Sequence, residues 1–177
     1  MNLPGDRSHE SQVARIVRVD HAGEYGAARI YAGQLAVLGR RESAPALREM
    51  QAQEQEHLDR FAELIHRRRV RPTAMLPLWH LAGFALGAAT AALGERAAMA
   101  CTVAVEEAID SHYASQIDTL DDSETELRST LTKFRDDELQ HRDTALAHGA
   151  EQAPGYRLLS AAIKLGCKVA IRISERV

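Results

Sequence analysis

Two short words in this chain could do chemistry: Glu54-Gln55-Glu56-His57 and, far downstream, Glu138-Leu139-Gln140-His141. Residues three apart on a helix share a face, so each word offers one carboxylate and one imidazole to a single metal ion. A lone Glu-x-x-His in a glutamate-rich helix more often reads as a solvated surface. Register and repetition decide against that reading here.

The apolar seam of the first helix, followed at alternating steps of three and four, runs Leu47, Met50, Glu54, His57, Phe61, Leu64. Around the second word it runs Leu127, Leu131, Phe134, Glu138, His141, Ala145. Both words fall on the stripe that faces a core. A seam through Glu56 meets Arg60, which assigns Glu56 and Gln55 to solvent. Two more helices carry one carboxylate each at such a place: Val17, Asp20, Glu24, Ala27, Tyr31, Leu38 and Met99, Val103, Glu106, Ile109, Tyr113, Leu120. Burying an unpaired carboxylate costs several kcal/mol, and no lysine or arginine stands on these seams to balance it. A metal cluster supplies the missing positive charge.

The order repeats. Glu24 precedes Glu54 by 30 residues and Glu106 precedes Glu138 by 32, so the chain reads as two helix hairpins, each Glu and then Glu-x-x-His. That is the donor pattern of ferritin-like dimetal carboxylate bundles. Carboxylates with two imidazoles and no inward thiolate suit iron or manganese better than copper or structural zinc. Glu24 and Glu106 are the single-helix ligands, Glu54 and Glu138 the bridges, His57 and His141 the nitrogen donors. Each imidazole needs a partner for its outer nitrogen. Asp20 and Asp137 are the candidates, with a plain surface charge as the other reading of Asp137.

The elements that hold these residues follow from the same periodicity. The 177 residues, 45% hydrophobic and 5% aromatic, suit one all-α domain over residues 1–177. A net charge of −3 gives no reason to propose nucleic acid as a partner. Cys101 and Cys167 are too few for a disulfide framework and read as buried packing residues. Met1 to Ser11 resembles neither a signal peptide nor a transit peptide, which sets a cytosolic default. The helices are expected from Ser8 or Ser11 to Gly39, Ala44 to Arg68, Gly94 to Leu120, and from an N-cap at Ser123 to His148, where Gly149 ends the last.

Between the hairpins, Pro72 to Gly94 runs 23 residues without a formal charge after a cluster at Arg67, Arg68, Arg69 and Arg71. A bilayer span needs about 20 apolar residues, but threading this segment through one separates the two halves of the metal site. It reads instead as a crossover helix at a membrane interface, with Leu78, Trp79 and Phe84 facing lipid and the arginines drawn to anionic headgroups. A buried crossover or an oligomer contact is the other reading. Gly83 and Gly87 have small-xxx-small spacing, a weak signal in so glycine-rich a stretch. Tyr156 to Ile173 is amphipathic, with Leu159, Ile163, Gly166 and Ala170 on one side and Lys164, Lys168, Arg172 and Arg176 on another. It either meets an anionic membrane or caps the bundle. The fold expected is a ferritin-like four-helix bundle with two additional membrane-facing helices.

Longer words then resemble a known family. Val19-Asp20-His21-Ala22-Gly23-Glu24-Tyr25-Gly26-Ala27, Arg29-Ile30-Tyr31-Ala32-Gly33-Gln34, Arg69-Val70-Arg71-Pro72-Thr73 and Ala100-Cys101-Thr102-Val103-Ala104-Val105-Glu106-Glu107 are similar to the demethoxyubiquinone hydroxylases of ubiquinone biosynthesis. The resemblance spans roughly residues 13–177, including Ser174-Glu175-Arg176. It implies a membrane-associated di-iron monooxygenase that hydroxylates the quinone ring of a polyprenylated precursor. Two iron ions per chain, dioxygen as co-substrate and NADH as reductant come with it. The iron ligands map onto Glu24, Glu54, His57, Glu106, Glu138 and His141. His112-Tyr113 matches a pair that helps electrons reach the iron. Tyr113 lies two helical turns, about 10 Å, beyond Glu106, and core packing is its other reading. The chain departs from the family at Ser111, where relatives carry a further histidine, and in a shorter link before the last bundle helix.

A peripheral location on the cytoplasmic face of a bacterial inner membrane, a polyprenyl quinone substrate, a lipid-presenting partner protein and a homo-oligomer are likewise implied by the resemblance. No glycine-rich dinucleotide fingerprint occurs, so NADH is not held by a Rossmann unit. A nearly insoluble substrate needs a site open toward lipid, and its expected entry is between the crossover and the bundle. Two other classes stay open: an iron store, which takes up many iron atoms per chain, and a non-enzymatic membrane adaptor, which takes up none. Metal analysis separates them.

Overall fold

Each apolar seam becomes a helix in the structure, a computed structural model that describes residues 8–177. The reading of the first seven residues lies outside the described part. Helix α1 (His9–Leu38) starts at Ser8, whose hydroxyl oxygen accepts the Ser11 N–H at 3.2 Å and satisfies one of the orphan donors of the first turn. Helices α2 (Ala44–Arg67) and α3 (Leu76–Ala92) each carry a proline in the first turn, where its missing N–H costs nothing. Gly94, at φ 114°, turns the chain directly into α4 (Glu95–Thr119), a conformation side chains rarely adopt. Then come α5 (Thr125–Ala147), a single 3₁₀ turn (Ala150–Gln152) and α6 (Tyr156–Ser174). There is no strand among the described residues. Among the described residues no helix is long and apolar enough to cross a membrane.

The expected cap of α5 is displaced. Asp121 is the stronger acceptor: it takes both the backbone N–H and the hydroxyl of Ser123, at 2.9 and 2.6 Å, in a tight turn. Glu124 occupies the cap position with no side-chain bond.

The helices α1 and α2 pair as one hairpin, α4 and α5 as the other, and each hairpin carries its third helix on its outside, α3 along α1 and α6 along α4. The first of these contacts is made by glycines. A Cβ on Gly87 would lie 2.0 Å from the Ile30 carbonyl oxygen, one on Gly33 2.1 Å from that of Phe84, and one on Gly83 2.8 Å from that of Gly26. The Gly83/Gly87 spacing is therefore the seam of a backbone-to-backbone contact. The middle of α3 thus lies against α1 with no room for a bulky group between the two backbones. Helices α3 and α6 do not approach each other as closely; both border the apolar cluster of Ile30, Cys101, Ala104, Val105 and Ile163, against which Leu86 packs.

Two expectations for the outer surface need correction. Leu78 and Phe84 are exposed, and Leu81 is the most open large hydrophobic side chain of α3 at 69%, but Trp79 is partly buried. Its indole N–H donates to Ser174 Oγ at 3.0 Å, because a buried indole needs an acceptor, and so ties α3 to the end of α6. Arg67 and Arg68 turn to the acidic start of α5, pairing with Glu126 at 2.5 Å and Glu124 at 2.6 Å rather than standing free for headgroups. On α6, Ile163 of the expected side is buried with Ser160, and Leu159 and Ala170 are partly buried, while Gly166 is exposed. Leu158, Leu165 and Val169 are exposed beside Lys168 and Arg172, while Lys164 pairs with Glu107. Cys101 is buried and Cys167 only partly so.

Candidate metal centre

The buried residues of α2 are Ala44 and the six read from its seam, and those of α5 are the six of its seam without addition. Glu54 and Glu138 are fully inaccessible, and Glu24, His57, Glu106 and His141 are within 2% of that, while Gln55 and Glu56 face water. Apolar clusters seal both ends of the bundle: Tyr31, Leu47, Met50 and Met99 at one, Val17, Phe61, Leu127 and Phe134 at the other.

Between them the six donors form two overlapping groups, Glu24, Glu54, His57, Glu138 and Glu54, Glu106, Glu138, His141. Within each group one atom per residue lies within 4.8 Å of every other. Glu54 and Glu138 belong to both. Both histidines turn Nδ1 inward: that of His57 is 3.2 Å from Glu138, and that of His141 is 3.1 Å from Glu54 and from Glu138.

Six atoms of this set have no hydrogen-bond partner: both oxygens of Glu54, one each of Glu24, Glu106 and Glu138, and Nδ1 of His57. Native interiors rarely leave such atoms unsatisfied, and six converging on one volume fit two cations. The charges agree. Burial pushes the Glu54 and Glu106 carboxyls far up, and repulsion from Glu138 adds to it. Burial acts on Glu138 in the same sense, but the facing imidazoles of His141 and His57 outweigh it and hold that carboxyl at about 2. For His57, burial is overcome by Glu138 and Glu24, which raise the imidazole to about 10. The polypeptide alone therefore cannot ionise all four carboxylates, whereas cations between them remove the repulsion.

Residues around the donors come from the opposite hairpin. Asp137 Oδ2 lies 3.2 Å from His57 Nε2, so Asp137 is a histidine partner and not merely a surface charge. The partner of His141 is Gln53, whose Oε1 is 2.8 Å from Nε2, and sequence reading missed it. The signal was present: Gln53 precedes Glu54 as Asp137 precedes Glu138. Asp20 partners neither histidine. It accepts the Gln116 amide at 2.8 Å, and the same amide nitrogen is 2.8 Å from His112 Nε2. Burial raises the Asp20 carboxyl in spite of His112 and Gln116.

Tyr113 reaches the centre by a different way than its own helix. Its hydroxyl donates to Glu24 of α1. Tyr31, seven residues after Glu24 as Tyr113 is seven after Glu106, donates to Glu106 at 2.7 Å. It stands on the predicted seam but was given no role there. Burial and the facing glutamates raise both phenols well above their ordinary value, so both stay protonated as donors.

Comparison with known proteins gives the same picture. The family model described as Ubiquinone biosynthesis protein COQ7 matches residues 11–174. The chain is 59% identical over 176 residues to the 3-demethoxyubiquinol 3-hydroxylase of Rhodospirillum rubrum, covering 99% of this chain and 83% of that protein. To the mitochondrial NADPH-dependent 3-demethoxyubiquinone 3-hydroxylases it is 55% identical in Bos taurus and 54% in Homo sapiens, in both over 97% of this chain and 81% of the relative.

Proposed function

The chain belongs to the Ubiquinone biosynthesis protein COQ7 family, and from that premise we propose how its residues carry out the ring hydroxylation. It is a hydroxylase of ubiquinone biosynthesis acting on a demethoxyubiquinone-type precursor. The observation that carries the mechanism is the pair of four-residue groups sharing Glu54 and Glu138. Glu24, Glu54, His57, Glu106, Glu138 and His141 would hold two iron ions, Glu54 and Glu138 being common to both groups. When bound, the irons would supply the dioxygen chemistry that the ring hydroxylation needs, with two electrons from the reductant.

The protein does the rest by positioning. Asp137 and Gln53 accept the outer N–H of His57 and His141, which fixes each ring with Nδ1 inward. Tyr113 and Tyr31 hold Glu24 and Glu106 by one oxygen and leave the other free for metal. Phe134 stacks on His57 at 3.8 Å between ring centres and keeps water from that side. His112 and Tyr113 serve the reductive step, for which a nicotinamide dinucleotide supplies two electrons. Resemblance names NADH, while two relatives carry NADPH in their names, so both belong in the assay. The substrate reaches the centre from a membrane surface by passing between the crossover helix α3 and the rest of the bundle, where the exposed Leu78 and Leu81 of α3 and Leu158 and Leu165 of α6 suit acyl chains.

The test is to load the protein with iron and count the metal. Demethoxyquinone, reductant and labelled dioxygen are then added and the product ring is examined for label. Two irons per chain and label in the new hydroxyl support the mechanism. Label from water, or reductant consumed with only peroxide formed, overturns it. Glu106→Ala should lose about half of the metal together with activity, whereas Tyr113→Phe should keep the metal and slow reduction.

A further inference from the structure

Away from the centre, a cleft of about 420 Å³ opens where α1, α2 and the start of α3 meet. Its polar lining is Tyr25, Arg29, Arg48, Gln51, Gln55 and His80, and no carboxylate lines it. Arg29 is the unusual member. It is half-buried, its Nε is fully buried without a partner, and among the described residues it makes no hydrogen bond or ion pair. Its neighbours restrain it. Helix α3 passes so close at Gly83 that a Cβ there would lie 3.0 Å from the Arg29 Cβ, and the guanidinium sits 5.3 Å over the ring of Phe84. A half-buried guanidinium with an unpartnered Nε, restrained in a cleft that offers it no acid, is suited to an anion from outside.

From this we infer that the cleft is a binding site for a phosphate ester. The planar guanidinium of Arg29 presents the fork of donors that matches phosphate oxygens in pairs. On the facing wall Arg48 uses one nitrogen on the Gly39 carbonyl at 2.6 Å and keeps the rest of its fork. Tyr25 Oη lies 2.7 Å from His80 Nδ1, and with that hydroxyl donating, His80 carries its own proton on Nε2 as a further donor. The cleft is larger than one phosphate, which leaves room for the esterified group. Phe84, under Arg29, is itself exposed at the edge of α3's apolar face. The same chemistry is offered by a phospholipid headgroup, whose acyl chains then follow Phe84 and Leu81, and by the phosphates of a soluble dinucleotide.

The experiment uses the full chain and two sets of probes. Soluble phosphate is supplied as pyrophosphate and as NADPH in calorimetric titrations. Lipid phosphate is supplied as phosphatidylcholine vesicles with and without phosphatidic acid, read by co-sedimentation. Arg29→Gln should weaken binding of at least one source by about tenfold or more, while Lys133→Gln on α5, which removes the same charge, should change it by less than about twofold. Arg48→Gln, which leaves the α1–α3 contact untouched, repeats the test should Arg29→Gln unfold, and is expected to weaken binding in the same sense. Loss confined to the vesicles assigns the headgroup, and loss confined to pyrophosphate and NADPH assigns a soluble ester. If neither source binds, or if the cleft variants and Lys133→Gln behave alike, the inference is wrong.

Discussion

The half of the proposed centre built on Glu24 and His57 and the half built on Glu106 and His141 carry the same donors in different surroundings. His57 leans on a carboxylate, Asp137, and is stacked against Phe134; His141 leans on the neutral amide of Gln53 and meets Tyr31 edge-on at 6.2 Å. Behind Glu24 a polar chain of Asp20, Gln116 and His112 leads outward, and His112 keeps 19% of its side chain in solvent. The corresponding amide behind Glu106 belongs to Gln34, fully buried and donating to Ala98 and Thr102. The repeat thus sets the geometry of the candidate donors, while the differences between its copies give the first half a polar chain toward solvent and bury the matching amide of the second. An imidazole held by a carboxylate is also the more basic ligand.

The comparison can be broken most severely at the residues the halves share. Glu54→Ala and Glu138→Ala should each abolish loading of both metals, whereas Glu24→Ala and Glu106→Ala should each leave about half of the iron. Glu56→Ala, one step off the seam, should leave the iron count unchanged. Metal analysis of the purified variants decides, and a Glu56→Ala protein as poor in iron as Glu54→Ala would falsify the seam.

Asymmetry is sharpened by the outer partners. Asp137→Ala should lower metal affinity by roughly 10–100-fold, and Gln53→Ala, which removes a neutral acceptor, by less. Competition with a chelator measures both. Equal losses would mean that the two halves do not differ in ligand strength.

A different asymmetry concerns the third helices, since α3 is pressed onto α1 by glycines at a distance no side chain tolerates. Gly87→Ala should cost about 1–3 kcal/mol by overpacking, read as a lower thermal midpoint. Gly166→Ala on α6, which meets nothing within 4 Å, should be neutral or slightly stabilising, since alanine is the better helix former.

The smallest expected effect lies on the surface, where Arg60 and Arg67 hold the exposed Glu126 carboxyl at about 2, down from 4.5. A depressed carboxylate stabilises the fold above its ordinary value, and that contribution is lost as pH falls through about 2. Solvent screening limits it to roughly 0.5 kcal/mol, so Glu126→Gln should flatten the acid limb of the stability curve only slightly, and less so at high salt.

The sequence by itself determined the six candidate donors, the four bundle helices and the face on which each of these residues lies. A carboxylate at core spacing needs a partner, and its place on the apolar stripe is local to one helix, so period and charge reveal it. What only the tertiary structure decided are the contacts between helices. Tyr31 reaches Glu106 and Tyr113 reaches Glu24 across the hairpins, Gln53 and Asp137 serve histidines of the other half, and Trp79, Arg67 and Arg68 turn from lipid toward Ser174, Glu126 and Glu124. Each depends on how far neighbouring helices are rotated and how closely they approach. Those quantities are set by side chains meeting across the core and, at Gly33, Gly83 and Gly87, by side chains that are absent, and no single helix's periodicity records them.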